Sequence, residues 1–200
     1  MKTDRYVIAS ANKGKLEEIR HMLAGSGVEV IPQSDWDVPE VDETGRTFVE
    51  NAILKARQAA QFSGLPAISD DSGLEVDALG GAPGVRSARF AGVEADDAAN
   101  NRLLLERLKG IAPEDRGARF HCVMVCLRHP DDPAPLICQD TWEGSIVDIP
   151  RGEGGFGYDP LFRPGTLDRT AAELGADEKN RLSHRGKALK ELAGILRIQG

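Results

Sequence analysis

The sequence predicts an α/β fold, a mixed central β-sheet flanked by helices, formed by a single domain spanning residues 1–200. Three observations carry this. Short β-prone runs alternate with stretches of helical periodicity, and helix start and stop signals separate them. No repeat, low-complexity tract or linker interrupts the order. With 200 residues the chain can bury a sizeable core without disulfide or metal staples.

The elements follow in order. Tyr6–Ala9 is a β-prone run that breaks at Ser10–Gly14 into a helix with Leu16, Ile19 and Leu23 on one face. Val28–Ile31 reads as a second strand, followed by an acidic loop with Pro32 and Pro39. Thr47 and Glu50 have capping-box spacing before a helix over Ala52–Phe62, and Gly64 stops it. Leu65–Ser69 reads as a buried strand, with Asp70-Asp71-Ser72-Gly73 as the turn at its end. Asp96 or Asp97 caps a helix that turns Leu103, Leu104 and Leu108 inward. Phe120–Arg128 and Leu136–Trp142 flank a turn-rich connector and predict a hairpin. Gly144–Ile149 adds a strand, and Thr170–Lys179 and His184–Leu196 close the chain as helices.

A formal charge of −7 and a pI near 5.2 argue against DNA, RNA or an anionic membrane as partner, since such binding needs many Lys and Arg contacts to phosphate. A small anionic ligand needs only a local cluster. Three cysteines, Cys122, Cys126 and Cys138, fit neither a disulfide framework nor a metal pattern and read as buried small hydrophobes. The odd thiol count, the lack of a signal-peptide pattern and the absence of a long apolar run predict a cytoplasmic protein.

Charge is unusually placed at two helix starts. Asn12 is a good N-cap, yet Lys13 and Lys15 occupy the first turn, where the helix dipole favours acids. Each such cation costs a few tenths of a kcal/mol, on the order of 0.3, unless an anion sits there. With Ser10 and the exposed N–H groups, this start suits a phosphate. Ser183 opens the last helix with His184, Arg185 and Lys187 in its first turn and Lys179 just upstream. Asp70 and Asp71 are adjacent carboxylates that need a cation or separate partners, and oxygen ligands beside phosphates favour Mg²⁺. Asp42 and Glu43 are candidates for a second carboxylate. Lys55 interrupts an apolar helix face, either snorkelling or reaching a phosphate. Residues 152–157 hold four glycines around Phe156, implying a backbone that approaches something closely. His21, His121 and His129 show no ligand spacing.

Across almost its full length the chain resembles the inosine/xanthosine triphosphate pyrophosphatases, the Ham1-like enzymes, especially their bacterial RdgB-type members. The resemblance rests on Ser10-Ala-Asn-Lys-Gly-Lys15, Glu43-Thr-Gly-Arg-Thr-Phe-Val-Glu-Asn-Ala-Ile-Leu-Lys-Ala56 and Ser69-Asp-Asp-Ser-Gly-Leu74. It continues through residues 80–92, Gly154-Gly-Phe-Gly-Tyr-Asp-Pro160 and Leu182-Ser-His-Arg-Gly186. Ser10-Ala11 stands where Thr-Gly is commoner in the family, and the family's metal-side acid falls on Asp42, immediately before Glu43.

The resemblance implies the ITPase-like (Maf/Ham1) fold with a cleft between two lobes, a homodimer, and Mg²⁺-dependent hydrolysis of ITP, dITP and XTP to the monophosphate and pyrophosphate. It makes Asp71 the central acid, as metal ligand and possible base, with Asp42 assisting at the metal. Ser10, Ala11, Asn12, Lys13, Gly14, Lys15, Lys55 and Lys179 would hold the triphosphate, and Ser72 would contact substrate. Phe156 would stack on the purine, Gly157, Tyr158 and Asp159 would shape its slot, and His184 and Arg185 would complete it. Two rival readings stand beside this one. A Maf-type pyrophosphatase would prefer pyrimidine or modified nucleotides, and a nucleotide sensor would bind without hydrolysis.

Overall fold

A computed structural model describes residues 4–25, 27–165 and 167–199. Six strands form one sheet in the order β2-β1-β3-β4-β5-β6. Strand β1 (Asp4–Ala9) pairs in parallel with β2 (Val28–Pro32) and with β3 (Ala67–Val76). Helices α1 (Lys13–Leu23) and α2 (Phe48–Ser63) supply the crossovers that parallel pairing requires. Strands β4 (Gly117–Leu127) and β5 (Leu136–Ile146) are neighbours joined by the connector 128–135, and β6 (Phe162–Pro164) runs antiparallel to β5. The sheet is therefore mixed, as the sequence predicts. Helices α3 (Asp97–Arg107), α4 (Ala176–Leu182) and α5 (His184–Gln199) complete the elements used below.

The chain divides into two compact units. One comprises residues 1–71, 122–140 and 185–200, the other residues 72–121 and 141–184. In the first, strand alternation feeds two apolar layers. Ile8, Ile68, Met124 and Cys122 pack with Ile19 and Leu23 of α1 and with Leu189 and Leu192 of α5. Val7, Ala9, Ala67 and Val125 point the other way and pack against Ala52, Ala56, Ala59 and Ala60 of α2. The core of the second unit joins Leu74, Val76, Phe120, Trp142 and Phe162 to Leu104 and Leu108. All three cysteines are free and buried, and burial pushes the Cys122 thiol up to about 12.

Local signals explain where the helices begin. Asn12 caps α1 by accepting from the Lys15 N–H at 3.0 Å. Thr47 and Glu50 form the reciprocal capping box of α2, and Gly64, at φ 67°, ends that helix. Asp96 caps α3 through the Ala99 N–H at 2.7 Å.

Three expectations change. Strand β3 does not end at Ser69 but runs through both aspartates to Val76, because each carboxylate finds a cation on a helix packed against the sheet. Of the strand expected at 144–149, residues 144–146 are the end of β5 and 147–149 lie beyond it, and the partner strand β6 is only three residues long. The helix expected over 170–179 is a 3-10 turn (Ala171–Glu173) followed by α4, since Leu174 is extended and Gly175 caps a new start.

Gly144 lies against β6, where an added Cβ would meet the Arg163 carbonyl and stand 2.6 Å from Phe162 Cζ. Gly144→Ala is expected to cost about 1–3 kcal/mol by overpacking. Urea denaturation checks it, and an unchanged midpoint would mean that β6 yields without cost.

Candidate active site

Adjacent residues of a strand point to opposite faces, so Asp70 and Asp71 meet different helices. Asp70 has the parity of Ile8 and Ile68 and meets the helices on that side. Its Oδ2 accepts from Lys15 Nζ at 2.9 Å and from Arg185 Nε and Nη2 at 3.3 and 3.2 Å. Glu18, one turn along α1 from Lys15, takes the Arg185 Nη1 at 2.5 Å. Burial would raise the Asp70 carboxyl, but Lys15, Arg185 and Lys55 hold it well below the usual carboxylate range. Burial likewise opposes the charge on Arg185, and Asp70 and Glu18 overcome it and raise its pKa.

Asp71 has the parity of Ala67 and Ser69 and meets α2. Ser69 anchors this face by donating from Oγ to the Ala52 carbonyl at 2.6 Å. Lys55 Nζ lies 2.8 Å from Asp71 Oδ1 and 3.2 Å from Glu43 Oε1, so two carboxylates from distant sequence converge on one ammonium. Asn51 joins them further. Its Nδ2 donates to Asp71 Oδ2 at 3.4 Å, and its Oδ1 accepts from the Gly45 N–H at 2.8 Å. Gly45 must be glycine here, since a Cβ would stand 2.5 Å from Asn51 Oδ1. Burial raises the Asp71 pKa, with Lys55 and Lys15 opposing and Glu43 reinforcing. Burial also disfavours the charged Lys55, yet Asp71, Asp70 and Glu43 raise its pKa overall.

The start of α1 is polar and open. Ser10 Oγ accepts from the Asn12 N–H at 3.2 Å, Ala11, Asn12 and Lys13 are exposed, and Gly14 is half-buried. Lys15 differs from Lys13 in having Asp70 as counter-charge, which offsets the unfavourable dipole position.

The second unit holds the remaining candidates. Phe156 is half-buried, and its N–H donates to Asp159 Oδ2 at 2.9 Å. Lys179 donates to the same oxygen at 2.6 Å and stands over the Phe156 ring, 4.7 Å from its centroid. Gly157 adopts φ 63°, and Tyr158 donates from its hydroxyl to the Ser87 carbonyl at 2.8 Å. His184 is buried and stacked on Phe120, ring centroids 4.8 Å apart. Ser72 is half-buried in β3.

The structure thus gathers Lys15, Asp70 and Arg185 into one group and Lys55, Asp71 and Glu43 into a second, both in the first unit. Phe156, Asp159 and Lys179 form a third group in the second unit. Arg185 accordingly pairs with Asp70 and Glu18, and Lys179 with the ring and Asp159. Asp42 is exposed, and Glu43 is the acid that shares Lys55 with Asp71. Sequence reasoning missed Glu18 and Asn51. Glu18 carried a weak signal in its spacing of three from Lys15, and Asn51 a better one as a polar residue among alanines.

Among the described residues, no group of three or more His, Cys, Asp and Glu side chains could hold a metal. Two converging carboxylates, Asp71 and Glu43, are an oxygen-only pair that suits a hard cation retaining its water, and the Lys55 ammonium shows that one positive charge fits between them. Among the described residues, no helix is long and apolar enough to cross a membrane.

The chain is similar to known proteins over almost its full length. The Ham1 family profile matches residues 6–195. The chain is 56% identical over 196 residues to a dITP/XTP pyrophosphatase of Thioalkalivibrio sulfidiphilus, covering 98% of this chain and 99% of that one. It is 57% identical over 194 residues to the dITP/XTP pyrophosphatase of Shewanella oneidensis, with 97% and 94% covered. Among solved structures, a HAM1 protein from Coxiella burnetii superposes with a TM-score of 0.89 at 51% identity, covering 96% of this chain and 98% of the other.

Asp70→Asn would leave Lys15 and Arg185 without their shared counter-charge in a buried setting. It is expected to destabilise the fold by about 3–5 kcal/mol and to lower Tm by roughly 10 °C. Differential scanning calorimetry decides this, and a fall of less than about 2 °C would show that Glu18 alone balances the cations.

Proposed function

The chain belongs to the Ham1 family, and on that premise we propose that it hydrolyses the non-canonical purine nucleoside triphosphates ITP, dITP and XTP to the monophosphate and pyrophosphate, cleansing the nucleotide pool. The observation that carries this reading is the convergence of Asp71 and Glu43 on Lys55, beside a polar helix start that bears Lys15. Water attacks the α-phosphorus, the bond from that phosphorus to the bridging oxygen breaks, and pyrophosphate leaves with that oxygen. Lys15 and Lys55 neutralise phosphate charge, and Ser10, Asn12 and the N–H groups of the first turn of α1 orient the phosphates. Asp71, with Lys55 at its Oδ1 and Asn51 at its Oδ2, is the carboxylate placed to accept a proton from the attacking water. Asp71 and Glu43 would hold Mg²⁺, which supplies charge neutralisation at the phosphate oxygens when bound.

Phe156 stacks on the purine by one face while Lys179 stands over the other, which enriches the contact electrostatically. Inosine and xanthosine present an acceptor oxygen at C6, where adenine presents an amino group. Donors aimed at that oxygen discriminate, because each unpaired buried group costs about 1–3 kcal/mol, and two mismatches give roughly 10²–10⁴. The net charge of −7 supports a small anionic substrate over a nucleic acid polymer, and three free buried cysteines support a reducing, cytoplasmic setting. A homodimer is part of the proposal, and light scattering on a sized sample tests it.

Pyrophosphate release from ITP, XTP, dITP, GTP, ATP and dTTP is the deciding measurement. Release is expected from the first three, in the presence of Mg²⁺ and not after chelation. A preference for dTTP would assign the chain to pyrimidine nucleotides instead. Asp71→Asn is expected to lower kcat about 10²–10⁴-fold, and a fall of less than about threefold would remove Asp71 from the chemistry. Arg185→Lys keeps the charge beside Asp70 but loses the planar fork. It is expected to weaken the pairing with Asp70 and Glu18 and lower Tm while leaving the preference for ITP over ATP unchanged, and a lost preference would assign Arg185 to base reading.

A further inference from the structure

The loop that presents Phe156 contains a mechanical weak point. Gly157 follows the ring directly and adopts φ 63°, and a Cβ there would meet nothing within 4 Å. The glycine is therefore required by its dihedral angle rather than by crowding, and a glycine in that region is a soft joint. Both backbone polar groups of this joint are nevertheless held. Asp97 Oδ2 accepts from the Gly157 N–H at 2.6 Å, and Asn101 Nδ2 donates to the Gly157 carbonyl at 2.8 Å.

Asp97 and Asn101 lie four residues apart on α3, so they occupy one face of the helix and act as a pair. The helix itself is fixed. Asp96 caps it, Leu104 is buried, and the Asn100 carboxamide accepts from the Ala91 N–H at 2.8 Å and donates to the Ala88 carbonyl at 3.1 Å. Because Tyr158 donates to the Ser87 carbonyl, the residue after the joint is tied to the same 84–91 segment. The Oδ1 of Asn101 is buried with no hydrogen-bond partner. A carboxamide with a stranded oxygen is a poor space filler, so its donor to Gly157 is what the position supplies. Asp97 sits in the first helical turn, where any acid is favoured, but the dipole does not account for a short bond to a particular N–H sixty residues away in sequence.

We propose that Asp97 and Asn101 are positioning residues for base recognition, clamping the Gly157 peptide so that the Phe156 ring is held at the angle a purine needs. The inference rests on the reading of Phe156 as the purine platform. The clamp lowers the cost of ordering the loop when a base binds, so its loss acts on substrate affinity more than on the chemical step.

The test uses the full chain with Asp97→Ala, Asn101→Leu and Asp97→Asn, the last retaining an acceptor oxygen. Both disruptive variants are expected to raise KM for ITP about tenfold with kcat changed less than about twofold. Inhibition by tripolyphosphate, which has no base, should be unaltered, and Asp97→Asn should restore KM to within about threefold. Amide exchange at Gly157 should be accelerated at least about tenfold in Asp97→Ala. Should Asn101→Leu fail to fold, the exposed Asp97 carries the test alone. An unchanged KM, an equal loss of tripolyphosphate affinity, or unaltered Gly157 exchange would each overturn the proposal. Lack of turnover by the unaltered chain would sink the pyrophosphatase reading instead, while the exchange rates would still decide the clamp.

Discussion

Two carboxylates side by side in the middle of a buried strand would repel one another, and each would bear a desolvation penalty of several kcal/mol if left alone. Strand β3 resolves this by geometry, because its two-residue period sends Asp70 and Asp71 to opposite faces. Each face then brings its own cation. On one side α1 and α5 deliver Lys15 and Arg185, and on the other α2 delivers Lys55. The helices that cover the sheet are thereby tied to adjacent residues of one strand. The same arrangement divides labour, since Asp70 is held firmly ionised by its cations while burial keeps Asp71 readier to take up a proton.

In the second unit, order comes from backbone clamps together with a buried ion pair. Asp159 accepts from both the Phe156 N–H and Lys179, and a Cβ at Gly155 would collide with its carboxylate. The glycine-rich run can therefore bend sharply without being loose. Its freedom is used to make the turn, and its hydrogen bonds remove what remains.

Much of this was legible in the sequence, and the reasons for the rest are specific. Asn12, the Thr47/Glu50 box and Gly64 act locally, so their spacing identified the caps, although α2 starts at Phe48, ahead of the stretch read as helix from Ala52. The path of β3 through two aspartates was not legible, because Asp is a poor strand former and distant cations, Lys15, Arg185 and Lys55, make the extension tolerable. Strand β6 is too short to show any alternation. Glu18, Asp97 and Asn101 look like ordinary helix-surface residues, and their partners lie 167, 60 and 56 positions away. The location of Phe156 and Asp159 in one loop was visible, whereas the pairing of Arg185 with Asp70 depended on tertiary contact.

The alanines of α2 carry a further implication. Ala52, Ala56, Ala59 and Ala60 are small and fully packed, so the helix axis lies close to the sheet at a distance set by methyl groups. Lys55 and Asn51 ride on that helix, and their reach to Asp71 is fixed by the same spacing. Enlarging any of these alanines would lift the helix and withdraw the ammonium, mimicking the loss of an active-site group at a residue that touches no ligand. In a saturation scan of this protein, intolerance along that stripe therefore reports standoff distance, and the residues whose loss it imitates, Asn51 and Lys55, directly precede Ala52 and Ala56.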